Sequence, residues 1–214
     1  MKWQRVPLGP LQTNAYILAN SNKECIILDP GGDGQRLNNI LRQQGLTPIA
    51  ILLTHAHFDH IGAIDDVLSH WNVPVYIQEK EKNWLKDPAL NGSAYFIPGQ
   101  EILSKVEPTI LPKEGEFSVG DFSFELFYTP GHSPGSVSYY FKELGIVFSG
   151  DALFQGSIGR TDLSGGSHEQ LLGSIHQKLL TLPEETIVLS GHGSETTIEA
   201  EMDLNPFLNG FKSI

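Results

Sequence analysis

The run Ile49-Ala-Ile-Leu-Leu53 ends directly on Thr54-His-Ala-His-Phe-Asp-His60, so three histidines and an aspartate fall within six positions behind an apolar stretch. A buried strand that ends in such a cluster delivers its polar side chains to the rim of a sheet, where open α/β proteins place their sites. Imidazole and carboxylate are the ligands that suit zinc and its first-row neighbours. Unligated, four such side chains would crowd polar groups at a strand end for no gain. His55, His57, Asp59 and His60 therefore read as a metal centre, of dinuclear type.

The chain has eight histidines. Two more occupy loops shaped like the first. His132 lies in Thr129-Pro-Gly-His-Ser-Pro-Gly135, after an apolar run that ends at Tyr128. His192 lies in Ser190-Gly-His-Gly193, after a run that ends at Leu189. Asp151, in Ser149-Gly-Asp151, follows a run that ends at Phe148. Four strand ends thus deliver ligand-type side chains, and a glycine beside each of the three later ones permits close backbone approach. His70, His168 and His176 lie in helical stretches and read as surface or packing residues.

Composition, turn residues and periodicity predict strands over 16–19, 25–28, 49–53, 73–77, 122–128, 137–141, 146–148 and 186–189. Apolar Leu37, Ile40 and Leu41 at helical spacing predict a helix over 34–44 that stops at Gly45. Further helices are expected over 61–70 and 168–181, the latter opened by a capping box of Ser167 and Gln170. Residues 87–100 read as a turn-rich loop bordering the site, with Tyr95 and Phe96 as candidate walls of a specificity pocket. Strands and helices in both halves suggest two packed sheets with helices outside, a four-layer αββα sandwich of α/β (α+β) class.

The 214 residues are 40% hydrophobic and 18% charged, ordinary for one soluble globular domain, and 1–214 is read as a single domain. A net charge of −11 argues against a nucleic acid held on a basic surface. The single cysteine, Cys25, sits in the apolar run Cys25-Ile-Ile-Leu28 and reads as a core residue. No internal disulfide is possible, the start lacks the apolar stretch of a signal peptide, and no segment approaches transmembrane length. The expectation is a cytoplasmic protein with a small-molecule substrate, no nucleic acid and no membrane partner. The oligomeric state is not readable.

His-x-His-x-Asp-His, then Gly-His, Gly-Asp and Gly-His in that order, is similar to the metallo-β-lactamase superfamily, and the match spans nearly the whole chain. The resemblance implies the αββα metallo-β-lactamase fold with two divalent metal ions at one sheet edge, zinc first, iron and manganese as alternatives. It implies that His55, His57 and His132 hold one ion, that Asp59, His60 and His192 hold the second, and that Asp151 bridges them. A metal-bound hydroxide would attack the substrate, and Asp59 could orient it or relay its proton. Asp29, Thr54 and Ser133 are candidates for orienting the imidazoles.

Asp151 stands where true zinc β-lactamases carry cysteine or serine. The acidic balance and short length, with the accessory domains of RNA-processing nucleases and flavoprotein oxygen reductases of this fold expected to be absent, argue against those branches. Gly9-Pro-Leu-Gln-Thr-Asn-Ala-Tyr16, Thr129-Pro-Gly-His-Ser-Pro-Gly-Ser136 and Gly150-Asp-Ala-Leu-Phe-x-Gly-Ser-Ile-Gly-Arg-Thr-Asp162 resemble the short bacterial branch of the glyoxalase II group. That resemblance implies hydrolysis of S-(2-hydroxyacyl)glutathione thioesters. Full-length members carry a C-terminal helical region that contacts glutathione, which this chain is expected to lack. Gly159-Arg-Thr-Asp162 also resembles persulfide dioxygenases, which hold a single iron through two histidines and an aspartate, here His55 or His57 with His132 and Asp151. Lactone and phosphodiester hydrolysis on the same site are further alternatives. Arg160 is a candidate for binding a substrate carboxylate, or for pairing with Asp162 to hold its loop.

Overall fold

A computed structural model describes residues 1–209; residues 210–214, which the expected domain includes, lie outside the described residues. The chain divides into two compact units, Met1–Pro112 with Ser118–Phe122, and Lys113–Phe117 with the chain from Ser123 on.

The first unit carries a six-stranded sheet made of β1 (Lys2–Leu8), β2 (Thr13–Ala19), β3 (Glu24–Leu28), β4 (Thr47–Leu52), β5 (Val75–Ile77) and β6 (Thr109–Ile110), in that spatial order. β1, β2 and β3 form an antiparallel meander, after which β3, β4, β5 and β6 run parallel. Parallel neighbours need a crossover, and the helix Gly34–Gln44 supplies the one between β3 and β4. It ends as the sequence predicts, with Gly45 in the left-handed conformation at φ 65° and its N–H on the Arg42 and Leu41 carbonyls. Leu37 and Leu41 of that helix join Ile17, Ile27, Ile51, Leu53, Ile61 and Ile64 in one buried cluster.

The second sheet has the order β14-β13-β10-β9-β8-β7, made of β7 (Gly115–Val119), β8 (Phe122–Tyr128), β9 (Val137–Phe141), β10 (Ile146–Gly150), β13 (Ile187–Ser190) and β14 (Thr196–Thr197). β11 (Leu153–Phe154) and β12 (Ser157–Ile158) form a separate small hairpin. β8 is antiparallel to β9, β9 is antiparallel to β10, and β10 is parallel to β13. The C-terminal ends of β8, β10 and β13 therefore share one edge of this sheet. Val147, Val188, Leu171, Ile175, Leu179 and Ile198 form the apolar cluster of the second unit.

Three expectations need correction. The helix expected over 61–70 is two short ones, Phe58–Ile61 and Ile64–Leu68, because the chain turns at Gly62 and Ala63. The helix expected over 168–181 is α-helical only over His168–Ser174 and continues as a π-helical turn over Ile175–Leu179. The 87–100 loop contains two single-turn helices, Pro88–Asn91 and Ser93–Phe96. Ser167 does cap its helix, accepting a hydrogen bond from the Gln170 N–H. Among the described residues no helix is long and apolar enough to cross a membrane.

Candidate metal centre

In the first unit, the ends of the parallel strands β3 and β4 lie side by side, with Leu28 opposite Leu52. The next residues of each strand meet as well. The Thr54 N–H and hydroxyl donate to the two carboxylate oxygens of Asp29, at 2.8 and 2.6 Å. His55, His57 and His60 follow and are almost wholly buried. Their rings cluster, with the His55 centroid 4.8 Å from that of His57 and 4.0 Å from that of His60. Asp59, in the short helix that also holds His60, accepts a 2.9 Å hydrogen bond from the Thr13 hydroxyl.

The bonding fixes the ring nitrogens. Thr54 has one hydroxyl proton, and it goes to Asp29. The 3.1 Å contact between Thr54 Oγ1 and His55 Nδ1 must then have the ring as donor, which makes Nε2 the second nitrogen the ring presents. Asp29 Oδ2 also lies 3.0 Å from His60 Nδ1. Asp29 adopts a left-handed backbone conformation at φ 46°, rare for a residue other than glycine, and such strain gathers at functional sites. Gly31 explains itself by proximity, since a Cβ there would stand 1.7 Å from the Asp59 carbonyl oxygen.

In the second unit, the three strand ends at one sheet edge carry His132, Asp151 and His192. Asp151 Oδ2 lies 3.6 Å from His132 Nε2 and 3.5 Å from His192 Nε2. His132 Nδ1 sits 2.8 Å from the Arg160 carbonyl oxygen, which can only accept, so Nδ1 donates there and Nε2 is the nitrogen turned toward Asp151. Gly159 permits this packing, because a Cβ there would meet the Asp151 carbonyl at 1.9 Å. The His192 loop is held by the Ser190 hydroxyl donating to the His192 carbonyl.

These donor sets suit divalent ions. The pairs His132–Asp151, His192–Asp151 and His60–Asp59 stand 3.5–3.7 Å apart, beyond hydrogen-bond range. Two ligands of one tetrahedral ion, each at ~2.05 Å, stand about 3.3 Å apart. The separations are compatible with side chains that share a divalent ion, and a neighbouring oxygen engages Nδ1 at His55 and His132.

Of the expected orienting residues, Asp29 and Thr54 take that part. Ser133 pairs with Ser136 within its own turn. Arg160 is exposed and makes a bidentate pair with Asp162, at 2.7 and 2.8 Å. Hydrogen bonds from Arg160 hold the Asp162 carboxyl at about 2. A depressed carboxyl pKa stabilises the fold above the usual 3.8 and loses that contribution as pH falls through 2; at this exposed position the contribution is small. His70, expected in a helix, lies in the turn just after Ile64–Leu68 and packs against Asn38 and Ser69. Phe96 stacks on Phe58 with centroids 5.9 Å apart, and Tyr95 is 73% exposed. Thr13 and Glu81, the latter holding the Ala56 N–H at 2.7 Å, were not singled out by sequence. Neither has a chemical signature outside its contacts.

A family model described as the metallo-beta-lactamase superfamily matches residues 8–192. The chain is 58% identical to the probable metallo-hydrolase YqgX of Bacillus subtilis over 211 residues, 99% of each protein. It is 36% identical to the hydroxyacylglutathione hydrolase GloC of Haemophilus influenzae, over 98% of this chain and 99% of that one. A crystal structure described as the BLEG-1 B3 metallo-beta-lactamase superposes with a TM-score of 0.95 at 56% identity, covering 98% of this chain and 100% of its own. That of TTHA1623 in a di-iron-bound form superposes with a TM-score of 0.82 at 40% identity, covering 96% and 100%. The mixed α/β fold with two large sheets is thus the one these structures share.

Proposed function

The chain belongs to the metallo-β-lactamase superfamily, and from that premise we propose that it is a two-metal hydrolase of S-(2-hydroxyacyl)glutathione-type thioesters. His55, His57 and His132 would hold one ion and Asp59, His60 and His192 the other, with Asp151 as a carboxylate available to both. The observation that carries this reading is the ring bonding at His55 and His132, where a neighbouring oxygen engages Nδ1 and so makes Nε2 the nitrogen that a divalent ion would take. A pair of divalent ions supplies Lewis acidity toward the thioester carbonyl and activates water near neutral pH.

The chain's own residues do the rest. Asp59, steadied by the Thr13 hydroxyl, orients the attacking water and takes its proton. Asp29 and Thr54 keep the His60 and His55 rings from turning as charge develops. The leaving group is a thiolate, which departs near neutral pH with little need for protonation. Arg160 serves its own loop, because its guanidinium fork is taken up by Asp162 and its carbonyl holds His132. The similarity to GloC supports the thioester class. Zinc is the proposed occupant, and the di-iron form of TTHA1623 makes iron the alternative. Sequence reasoning set β-lactams aside on Asp151, but similarity to BLEG-1 returns them to the substrate panel.

The test is hydrolysis of S-D-lactoylglutathione by zinc-reconstituted protein, followed by loss of thioester absorbance. Asp59→Ala and His132→Ala are expected to lower turnover by about 100-fold or more with the fold retained. Near-wild-type rates in both variants, with metal still bound, would overturn the assignment. Absence of thioester turnover together with oxygen uptake on glutathione persulfide by the iron-loaded protein would establish a persulfide dioxygenase instead.

A further inference from the structure

The 3₁₀ helix Glu79–Lys86 has no part in the ligand set, yet two of its buried side chains reach the ligand loop. Glu81 is fully buried, and its Oε2 accepts a 2.7 Å hydrogen bond from the backbone N–H of Ala56, the residue between His55 and His57. One turn on, Trp84 sets its indole against the His57 imidazole, with ring centroids 5.6 Å apart and planes at 42°. A charge-assisted bond to the backbone and an aromatic wall on the ring together hold the His-x-His loop from outside.

The helix is itself fastened at both ends. Gln78 caps its start by accepting from the Lys80 N–H at 2.6 Å. At its end the Trp84 carbonyl accepts from Asn91 Nδ2 at 3.1 Å, and the Leu85 carbonyl accepts from the Ser104 N–H at 2.7 Å. Trp84 and Leu85 also belong to the main apolar cluster of this unit. A helix so anchored transmits the rigidity of the core to the loop. A carboxylate is an expensive group to bury, and here it stands one residue from each of two imidazoles. Its negative charge favours a cation in that loop.

We infer that Glu81 and Trp84 are positioning residues that set the affinity of the His55–His57 side of the centre for its metal. The inference rests on the reading that these two histidines hold an ion. Both side chains are buried and bear on the ligand loop, so their effect is on ion binding and on the ligand field before it is on turnover.

The experiment measures zinc dissociation constants by competition with a chromophoric chelator, and cobalt(II) absorption spectra, for wild type, Glu81→Gln, Trp84→Ala and Trp84→Phe. Thermal unfolding of the four metal-free proteins serves as the control. Glu81→Gln keeps the shape and an acceptor for the Ala56 N–H but removes the charge, and Trp84→Phe keeps an aromatic wall. The expected result is that Glu81→Gln and Trp84→Ala bind zinc about 10–100-fold more weakly, the range for groups that orient ligands. Their cobalt bands should shift, while Trp84→Phe stays close to wild type. Glu81→Gln should unfold without metal within a few degrees of wild type. Unchanged dissociation constants and spectra in both Glu81→Gln and Trp84→Ala would overturn the inference. So would losses of affinity matched throughout by losses of metal-free stability, which is what a merely structural role produces. A wild-type protein that binds no zinc or cobalt would overturn the metal-centre reading itself, and the inference with it.

Discussion

At His55 one hydroxyl proton decides which ring nitrogen is offered. Thr54 spends its proton on Asp29 and accepts from the ring, so Nε2 is held ready. Thr54→Val removes both bonds at nearly constant volume. Metal affinity is expected to fall about 10-fold or more, read by chelator competition, with Thr54→Ser restoring most of it. Affinity equal to wild type in Thr54→Val would show that the ring needs no such partner. Cys25 illustrates the opposite, a reactive group silenced by its place. Burial pushes its thiol from 9.0 up to about 12. The native protein should therefore resist alkylation at pH 8 and label only when unfolded, as a labelling time course in and out of denaturant will show. Because folding raises this pKa, its contribution is complete below pH 9 and declines as pH rises from there toward 12.

Elements position the ligand-type side chains, and close backbone contacts fix the elements. Gly31 follows β3 and lies under the Asp59 carbonyl, where any side chain would collide. Gly31→Ala is expected to cost about 3 kcal/mol, the upper range for overpacking, measured by denaturant unfolding, and to weaken metal binding through Asp59. A stable, fully metal-loaded Gly31→Ala protein would contradict this. Central strands were legible in the sequence because burial on both faces leaves a continuous apolar run, as in Cys25-Ile-Ile-Leu28. The edge strands β1 and β7 escaped notice because each pairs on one side only and keeps exposed residues along its length, Lys2, Gln4 and Arg5 in one and Glu116 and Ser118 in the other. The ligand-type residues were legible because histidine and aspartate cluster visibly after apolar runs. Thr13 and Glu81 were not, since each acts through a partner 46 or 25 positions away.

On the scale of the whole molecule, two apolar clusters support two sets of ligand-type side chains, one in each unit. If ions bind the native chain and not the unfolded one, removing them withdraws stability in proportion to RT ln(1 + [M]/Kd). At a free metal concentration of 100 times Kd this is about 2.7 kcal/mol, or roughly 5–10 °C in melting temperature for a chain of this size. Calorimetry with and without chelator measures it, and an unchanged melting temperature would exclude a folding-coupled site.

Asp151 and His192 are 41 positions apart by their numbers, yet they are neighbours because β10 and β13 run parallel with Gly150 opposite Ser190. A slip of one residue between these strands would carry His192 about 3.3 Å along the sheet and turn alternate side chains to the wrong face. The slipped chain could keep most of its backbone bonds and still fail to offer a paired carboxylate and imidazole. On the proposed two-metal reading, ion uptake by this edge would proofread the alignment of the sheet, and a mispaired molecule would betray itself by binding no metal.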